Sequence, residues 1–237
     1  MLVISEIPII MSSPIAKNTK NILERAIVNS HQKLSHNKRI NYLSELFIKL
    51  LDELAIEKAT ILDIGCGDMS IAENLMNQRT EVKITCLDTY PLPEDFKNHQ
   101  RWQKYVSFDG RQIPFEANQF DVVILCDVLH HDIEYAEVIL KEAYRVAKYV
   151  IIKDHFEYGF VSRQTLRLMD FIGNWGYGVS VPKRYFSKEN YQKLLLQQPS
   201  ITEIKQICPI PLYQHNFMFN LICPGKLQYI SILQKIK

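Results

Sequence analysis

The chain has 237 residues, of which 47% are hydrophobic, 23% charged and 11% aromatic, and its formal charge is +2. This is globular composition; it excludes collagen, coiled-coil, disordered and disulfide-stapled classes, and the near-neutral charge provides no field that selects a polyanion. The length can bury a sizeable core as one α/β domain, alone or with a small cap.

The first apolar stretch, Ile7 to Ala16, is short of the roughly 20 residues a membrane-spanning helix needs. No basic segment precedes it, which argues against a secretory signal. Residues Asn37 to Ile56 place Ile40, Leu43, Leu46, Phe47, Leu50, Leu51 and Leu54 at helical spacing, so an amphipathic helix is expected. Ala59 to Ile64 reads as a buried strand stopped by Gly65. A helix follows from about Met69 to Asn77, with Asp68 or Ser70 able to cap it.

The alternation then repeats. Val82 to Leu87 and Tyr105 to Ser107 read as strands, and Phe120 to Cys126 is the near-continuous apolar run of a strand covered on both faces. Ile133 to Val146 is helical and Lys148 to Lys153 is another buried strand. Such alternation builds a mostly parallel sheet. Beyond it come a helical stretch (Arg163 to Phe171), a Gly/aromatic segment (Gly173 to Gly178) and a helix (Lys188 to Leu196). Two late strands, Ile201 to Cys208 and Phe217 to Cys223, are expected as an antiparallel pair at the sheet edge, joined through Pro209 and Pro211. The tail (Leu227, Ile230, Leu233 and Ile236, with Lys226, Lys235 and Lys237) is expected to pack on its own domain, a membrane or partner surface being the alternative. The five cysteines (Cys66, Cys86, Cys126, Cys208, Cys223) form no C-x-x-C pair, which disfavours disulfides and a zinc knuckle and fits a reducing, cytoplasmic compartment.

In an open parallel sheet, ligands bind outside the carboxyl ends of the strands. After the first strand stands Asp63-Ile-Gly-Cys-Gly-Asp68, where Gly65 and Gly67 allow a sharp turn and a close backbone approach. The dinucleotide fingerprint is incomplete, because Ser70 occupies the place of its last Gly. Asp88, at the tip of the second strand and about 20 residues beyond Gly67, is placed to accept ribose hydroxyls; a helix cap or solvated loop acid is the plainer alternative. Asp109-Gly110 after the third strand suits an adenine edge, or is a plain turn ended by Pro114.

ILDIGCGD (61–68), CLD (86–88), FDGRQIPFEANQFDVVILCDVLHH (108–131) and AYRVAKYVIIKD (143–154), in this order, resemble the class I S-adenosylmethionine-dependent methyltransferases of the type 11 group, which includes quinone-ring methyltransferases. Met69 departs from the pattern where many members carry a third Gly. The resemblance implies an α/β, Rossmann-like, mostly parallel seven-stranded sheet with helices on both faces and an antiparallel last strand. It implies a helical lead or cap over 1–57 and a methyltransferase domain over 58–237, with a lid-like insertion at about 155–196. It further implies that Asp63, Gly65 and Gly67 shape the loop for the methionine part of S-adenosyl-L-methionine, that Asp88 takes the ribose and Asp109 with Gly110 the adenine, and that Asp127 lines the sulfonium side. A phosphate-free, cationic cofactor suits an acidic cleft.

In-line methyl transfer needs a base only if the nucleophile must lose a proton. His155, His130 and His131, all near carboxyl ends of expected strands, are the candidates, His155 foremost because Asp154 precedes it. No helical i, i+4 pair supports a metal site, and none is expected. The aromatic stretch 155–191, with Trp175 and Tyr177 beside glycines, reads as a lid over an apolar or aromatic small-molecule acceptor, or as packing of the insertion on the sheet. Nucleic acid is disfavoured, since Cys126-Asp-Val-Leu stands where amino-group DNA enzymes carry Asn/Asp-Pro-Pro-aromatic. An RNA methyltransferase acting on ribose or base (Lys153 with Asp127 is a partial match) and a catalytically silent S-adenosylmethionine-binding regulator are the alternatives. The acceptor, the methylated element and the oligomeric state are not readable from the sequence.

Overall fold

The computed structural model describes residues 36–90, 104–173, 179–213, 217–222 and 224–236. The first helix, α1 (Asn37–Glu53), buries Leu43, Phe47, Leu50 and Leu51 along one stripe. Its chain reverses at Ala55, which has a positive φ of 54°, and enters β1 (Thr60–Ile64). Then come α2 (Ser70–Gln78), β2 (Lys83–Asp88), β3 (Tyr105–Ser107) and β4 (Phe120–Cys126). A 3-10 turn, Leu129–His131, leads to α3 (Ala136–Val146) and β5 (Ala147–His155). The remainder comprises α4 (Phe160–Gly173), α5 (Lys188–Leu196), β6 (Ile201–Ile207), α6 (Phe217–Ile222) and β7 (Gln228–Lys235).

The strands form one sheet in the order β3-β2-β1-β4-β5-β7-β6. The pairs from β3 to β5 are parallel, whereas β7 runs antiparallel to both β5 and β6. Alternate strand residues feed two cores, as the two-residue period of a strand requires. Ile61, Ile84, Val122 and Ile151 pack with α1, α2 and α4 on one face. Leu62, Leu87, Val123 and Val150 pack with α3 and α5 on the other. Helices therefore cover both faces, and the expected fold class is the observed one.

Two late elements differ from expectation. The stretch expected as a strand over Phe217 to Cys223 is the helix α6, with Cys223 outside the described residues; Phe217 and Leu221 are exposed on it. The strand that pairs with β6 is instead β7, drawn from the tail. Leu227, Ile230 and Leu233 recur every three residues and imitate a helical stripe. The segment is in fact buried continuously from Gln228 to Leu233 because it lies between two strands with both faces covered.

The aromatic stretch also divides. Phe156, Phe186 and Tyr191 are core residues around Tyr229, whose ring stacks on Phe156 with centroids 3.8 Å apart. Tyr158, Phe160 and Phe171 are exposed. Trp175 and Tyr177 lie outside the described residues. Among the described residues no helix is long and apolar enough to cross a membrane.

Candidate active site

β1 lies beside β4, and the chain leaves this pair in opposite directions along the sheet, so the crevice outside their carboxyl ends is the switch point of the fold. The loop after β1 is pinned to β2 by two hydrogen bonds, Gly65 N–H and Cys66 N–H donating to Leu87 O at 2.7 and 3.3 Å. Gly65 has φ +70°, and a Cβ there would sit 2.5 Å from Val128 Cγ2 of the loop after β4. Gly67 has φ +53° and faces open space, with nothing within 4 Å of where a Cβ would stand. Met69, the departure from the family pattern, keeps the left-handed conformation at φ 62°. That conformation costs a non-glycine residue roughly 1–2 kcal/mol, and full burial of the Met69 side chain against the first core offsets it.

Three acids surround this loop. Burial first, then the charges of Asp88 and Asp68, pushes the Asp63 carboxyl up to about 7. No salt bridge reaches Asp63 among the described residues. Asp88 is buried, which raises it, while backbone N–H groups pull the other way: Oδ2 accepts from Gly67 at 2.9 Å and Oδ1 from Thr89 at 2.7 Å. Against burial, His36 and the Ser70 N–H hold Asp68 down to about 2. Asp109 is exposed, and its Oδ1 accepts from the N–H groups of Arg111 and Gln112, both at 2.8 Å, shaping a turn. The loop is latched by α3, where Arg145 donates to Ile113 O and Phe115 O and Glu142 accepts from Ile113 N–H. Gly110 is brought against Thr89, so the β3 turn closes on the tip of β2 beside Asp88.

At the ends of β4 and β5 the structure assembles a second, charged cluster. Asp127 has φ 58° and donates its N–H to Lys153 O at 2.8 Å. Its carboxylate is ion-paired to Lys153 and to Arg39 of α1, and despite burial these cations keep it well below the usual range. His155 Nδ1 stands 3.4 Å from Asp154 Oδ1 and 3.5 Å from Asp127 Oδ1. His130 Nδ1–H donates to Asp154 Oδ1 at 2.5 Å, and its Nε2 lies 3.4 Å from Asp170 Oδ2 of α4. The Tyr185 hydroxyl donates to the same Asp170 oxygen at 2.5 Å. Burial opposes a charge on His130, but Asp154 and Asp170 outweigh it and raise the imidazole to about 10. The rings of His130, His155 and Tyr185 are mutual neighbours, with centroids 5.1 to 6.1 Å apart. His131 points to the surface.

The ligand-type atoms of His130, Asp154 and His155 lie within 4.8 Å of one another. His130 Nδ1 and Asp154 Oδ1 are hydrogen-bonded to each other, so a metal ion at this point would have to displace the proton between them. The crevice brings together Asp63, Gly65, Gly67, Asp88 and Gly110. Asp127 joins the His130–His155 cluster beside it. Arg39, Asp170 and Tyr185 are site neighbours that no local motif announced.

Residues 62–149 match the family of methyltransferase domains. Among solved structures, the chain is similar to 1,6-didemethyltoxoflavin-N1-methyltransferase of Burkholderia thailandensis, solved with its substrate and S-adenosylhomocysteine. That likeness covers 95% of each chain at 16% identity, with a TM-score of 0.56. A SAM-dependent methyltransferase of Aquifex aeolicus is matched over 90% of this chain and 98% of that one, at 16% identity and TM-score 0.53. One from Methanosarcina mazei is matched over 76% and 93%, at 17% identity and TM-score 0.54. No curated protein matches the sequence.

Residues 62–149 thus carry a methyltransferase domain, set in a seven-stranded sheet of the kind found in the solved S-adenosylmethionine-dependent methyltransferases that the chain resembles. The chain is an enzyme, and its cofactor is S-adenosylmethionine. The crevice fits that group: Asp63 is a buried acid with no salt-bridge partner among the described residues, and Gly67 presents bare backbone to open space.

Proposed function

We propose that the enzyme methylates a small acceptor with an apolar or aromatic body and a proton-bearing nucleophilic atom, and that His155 removes that proton. The reading rests chiefly on one observation, the seating of His155 Nδ1 between the Asp154 and Asp127 carboxylates. Among the described residues no hydrogen bond reaches Nδ1, but the two carboxylates favour an N–H on that nitrogen over one on Nε2, which is then the nitrogen to accept a proton. His130, held as an imidazolium between two carboxylates, has no such lone pair, and it serves to orient Asp154. The rings of His130 and Tyr185 are buried against that of His155 and hold its plane from within.

When bound, S-adenosylmethionine supplies a methyl group made electrophilic by its sulfonium. Asp63 with the Gly65–Gly67 loop holds its methionine end, Asp88 its ribose, Asp109 and Gly110 its adenine, and Asp127 faces the sulfonium side. Residues 36–57 act as a cap, the rest of the expected lead (1–35) lying outside the described residues, and the described part of 155–196 acts as a lid-like insertion. Holding the nucleophile in line supplies roughly 7–11 kcal/mol of the barrier reduction without further chemistry. The full burial of Lys153, with its ammonium already on Asp127, speaks against the RNA-ribose alternative.

The test is uptake of labelled methyl from a metabolite extract, with His155→Gln as the paired variant. Expected is a loss of about 10²–10⁴ in turnover with S-adenosylhomocysteine binding retained. Undiminished turnover in that variant removes the base assignment.

A further inference from the structure

α4 sets Leu166 into the first core, and Asp170, four residues on, shares that side of the helix. Its Oδ2 accepts the Tyr185 hydroxyl at 2.5 Å and stands 3.4 Å from His130 Nε2, a nitrogen that makes no hydrogen bond among the described residues. The line continues from the other side of that ring, where Nδ1–H donates to Asp154 Oδ1 at 2.5 Å. The same oxygen accepts the His155 N–H at 2.7 Å and lies 3.4 Å from His155 Nδ1. One carboxylate of the insertion therefore reaches His155 through two intervening side chains.

The order of charges along this line matters. A buried imidazolium that faces a single carboxylate can return its proton to it, and both groups then stand neutral. A second carboxylate at the far ring nitrogen answers the charge of His130 from both sides, so Asp154 stays ionised. An ionised Asp154 is what favours the N–H of His155 on Nδ1. Tyr185 serves twice: its hydroxyl holds Asp170, and its ring centroid lies 5.3 Å from that of His130 and 6.1 Å from that of His155.

We propose that Asp170 is a positioning residue for the methyl transfer, acting on His155 through His130 and Asp154, with Tyr185 holding it in place. This rests on the reading of His155 as the base. The insertion thus supplies, from α4, the far end of the line that fixes the tautomer and plane of the base.

Uptake of methyl from labelled S-adenosylmethionine, read over a dilution series of a metabolite extract, separates turnover from half-saturation. Calorimetry with S-adenosylhomocysteine reads the cofactor site. Asp170→Asn keeps the shape and removes the charge; it is expected to lower turnover by about 10- to 100-fold. Half-saturation and S-adenosylhomocysteine affinity are expected to stay within about two-fold. Tyr185→Phe is expected to show a smaller loss of the same kind, and it carries the test if Asp170→Asn does not fold. In His155→Gln, adding Asp170→Asn is expected to cost nothing further, because groups that act as one unit are not additive. Nitrogen NMR of the labelled imidazoles is expected to show the His155 signals moved in Asp170→Asn, and it carries the test where no component of the extract takes up methyl. Unmoved His155 signals or undiminished turnover in Asp170→Asn overturn the inference. So does a full further loss on top of His155→Gln, which makes Asp170 a prop of the fold, or a change confined to half-saturation, which makes it an acceptor contact. Undiminished turnover in His155→Gln removes the base reading and the inference with it, whereas a loss there beside an intact Asp170→Asn removes the inference alone.

Discussion

His130 donates to Asp154 at 2.5 Å with both side chains shielded from solvent, joining the turn after β4 to the end of β5. Asp170 approaches the other ring nitrogen from α4, so one imidazolium ties the insertion to the sheet. The His130 value, about 10, lies above the ordinary 6.5. Stability from this charge is therefore complete below about pH 6.5 and is lost as pH rises through about 10. Removing one partner of such a buried pair costs about 3–5 kcal/mol. Urea unfolding at pH 6 and at pH 10 checks this: His130→Asn is expected to be strongly destabilised at the lower pH and to approach wild type at the higher. An equal deficit at both would mean that shape rather than charge is what His130 provides.

Asp63 titrates in the opposite sense. Its carboxyl is raised from 3.8 to about 7, so its ionised form costs stability above pH 7, and that cost is relieved as pH falls and the group takes up a proton. The cofactor's ammonium favours the ionised form, so binding is expected to release protons below pH 7 and to weaken as the pH drops. Titrations of S-adenosylhomocysteine in buffers of differing ionisation enthalpy measure that release directly. Asp63→Asn is expected to raise the unfolding temperature of the ligand-free protein at pH 8 while reducing affinity and abolishing proton release, a trade of function against stability.

Much of the crevice was legible because its signals are local. Gly65, Gly67, Asp88 and Gly110 each stand at or just beyond the end of a strand whose apolar run is visible in the sequence, and the parallel order brings those ends together. Arg39–Asp127 spans 88 residues and His130–Asp154 spans 24, so no window of sequence holds either pair. Arg39 reads only as one cation on the polar face of an amphipathic helix. Asp170 is equally mute, since its meaning comes from the approach of α4 to the end of β5. β7 was missed because burial on both faces erases the two-residue alternation that identifies a strand.

The two glycines of the loop are expected to fail for different reasons. Alanine at Gly65 meets both a positive φ and Val128 at 2.5 Å, whereas alanine at Gly67 meets only the positive φ. Gly67→Ala is expected to cost roughly 1–2 kcal/mol, and Gly65→Ala a further 1–3 kcal/mol of overpacking, approximately. A double-mutant cycle with Val128→Ala isolates the contact. Val128→Ala is expected to restore much of the loss at Gly65 and none of it at Gly67. Equal rescue at both would show that the loop moves as a unit rather than through that contact.

Asp88 was expected from sequence to take the ribose, with a helix cap or a solvated loop acid as the plainer alternative, and its carboxylate accepts the N–H groups of Gly67 and Thr89. These bonds hold the loop after β1 against the tip of β2 before any ligand arrives. Asp88→Ala leaves both donors without their acceptor, at about 1–3 kcal/mol where such groups are buried. The variant is therefore expected to unfold at a lower denaturant concentration as well as to lose most of its S-adenosylhomocysteine affinity. Asp88→Asn keeps one carbonyl oxygen for a backbone donor, so it is expected to recover stability more fully than affinity. Denaturant unfolding and calorimetric titration of the same two variants test that separation. If stability and affinity fall in constant proportion across both, Asp88 acts on the ligand only by holding the loop, and the ribose contact must come from elsewhere in the crevice.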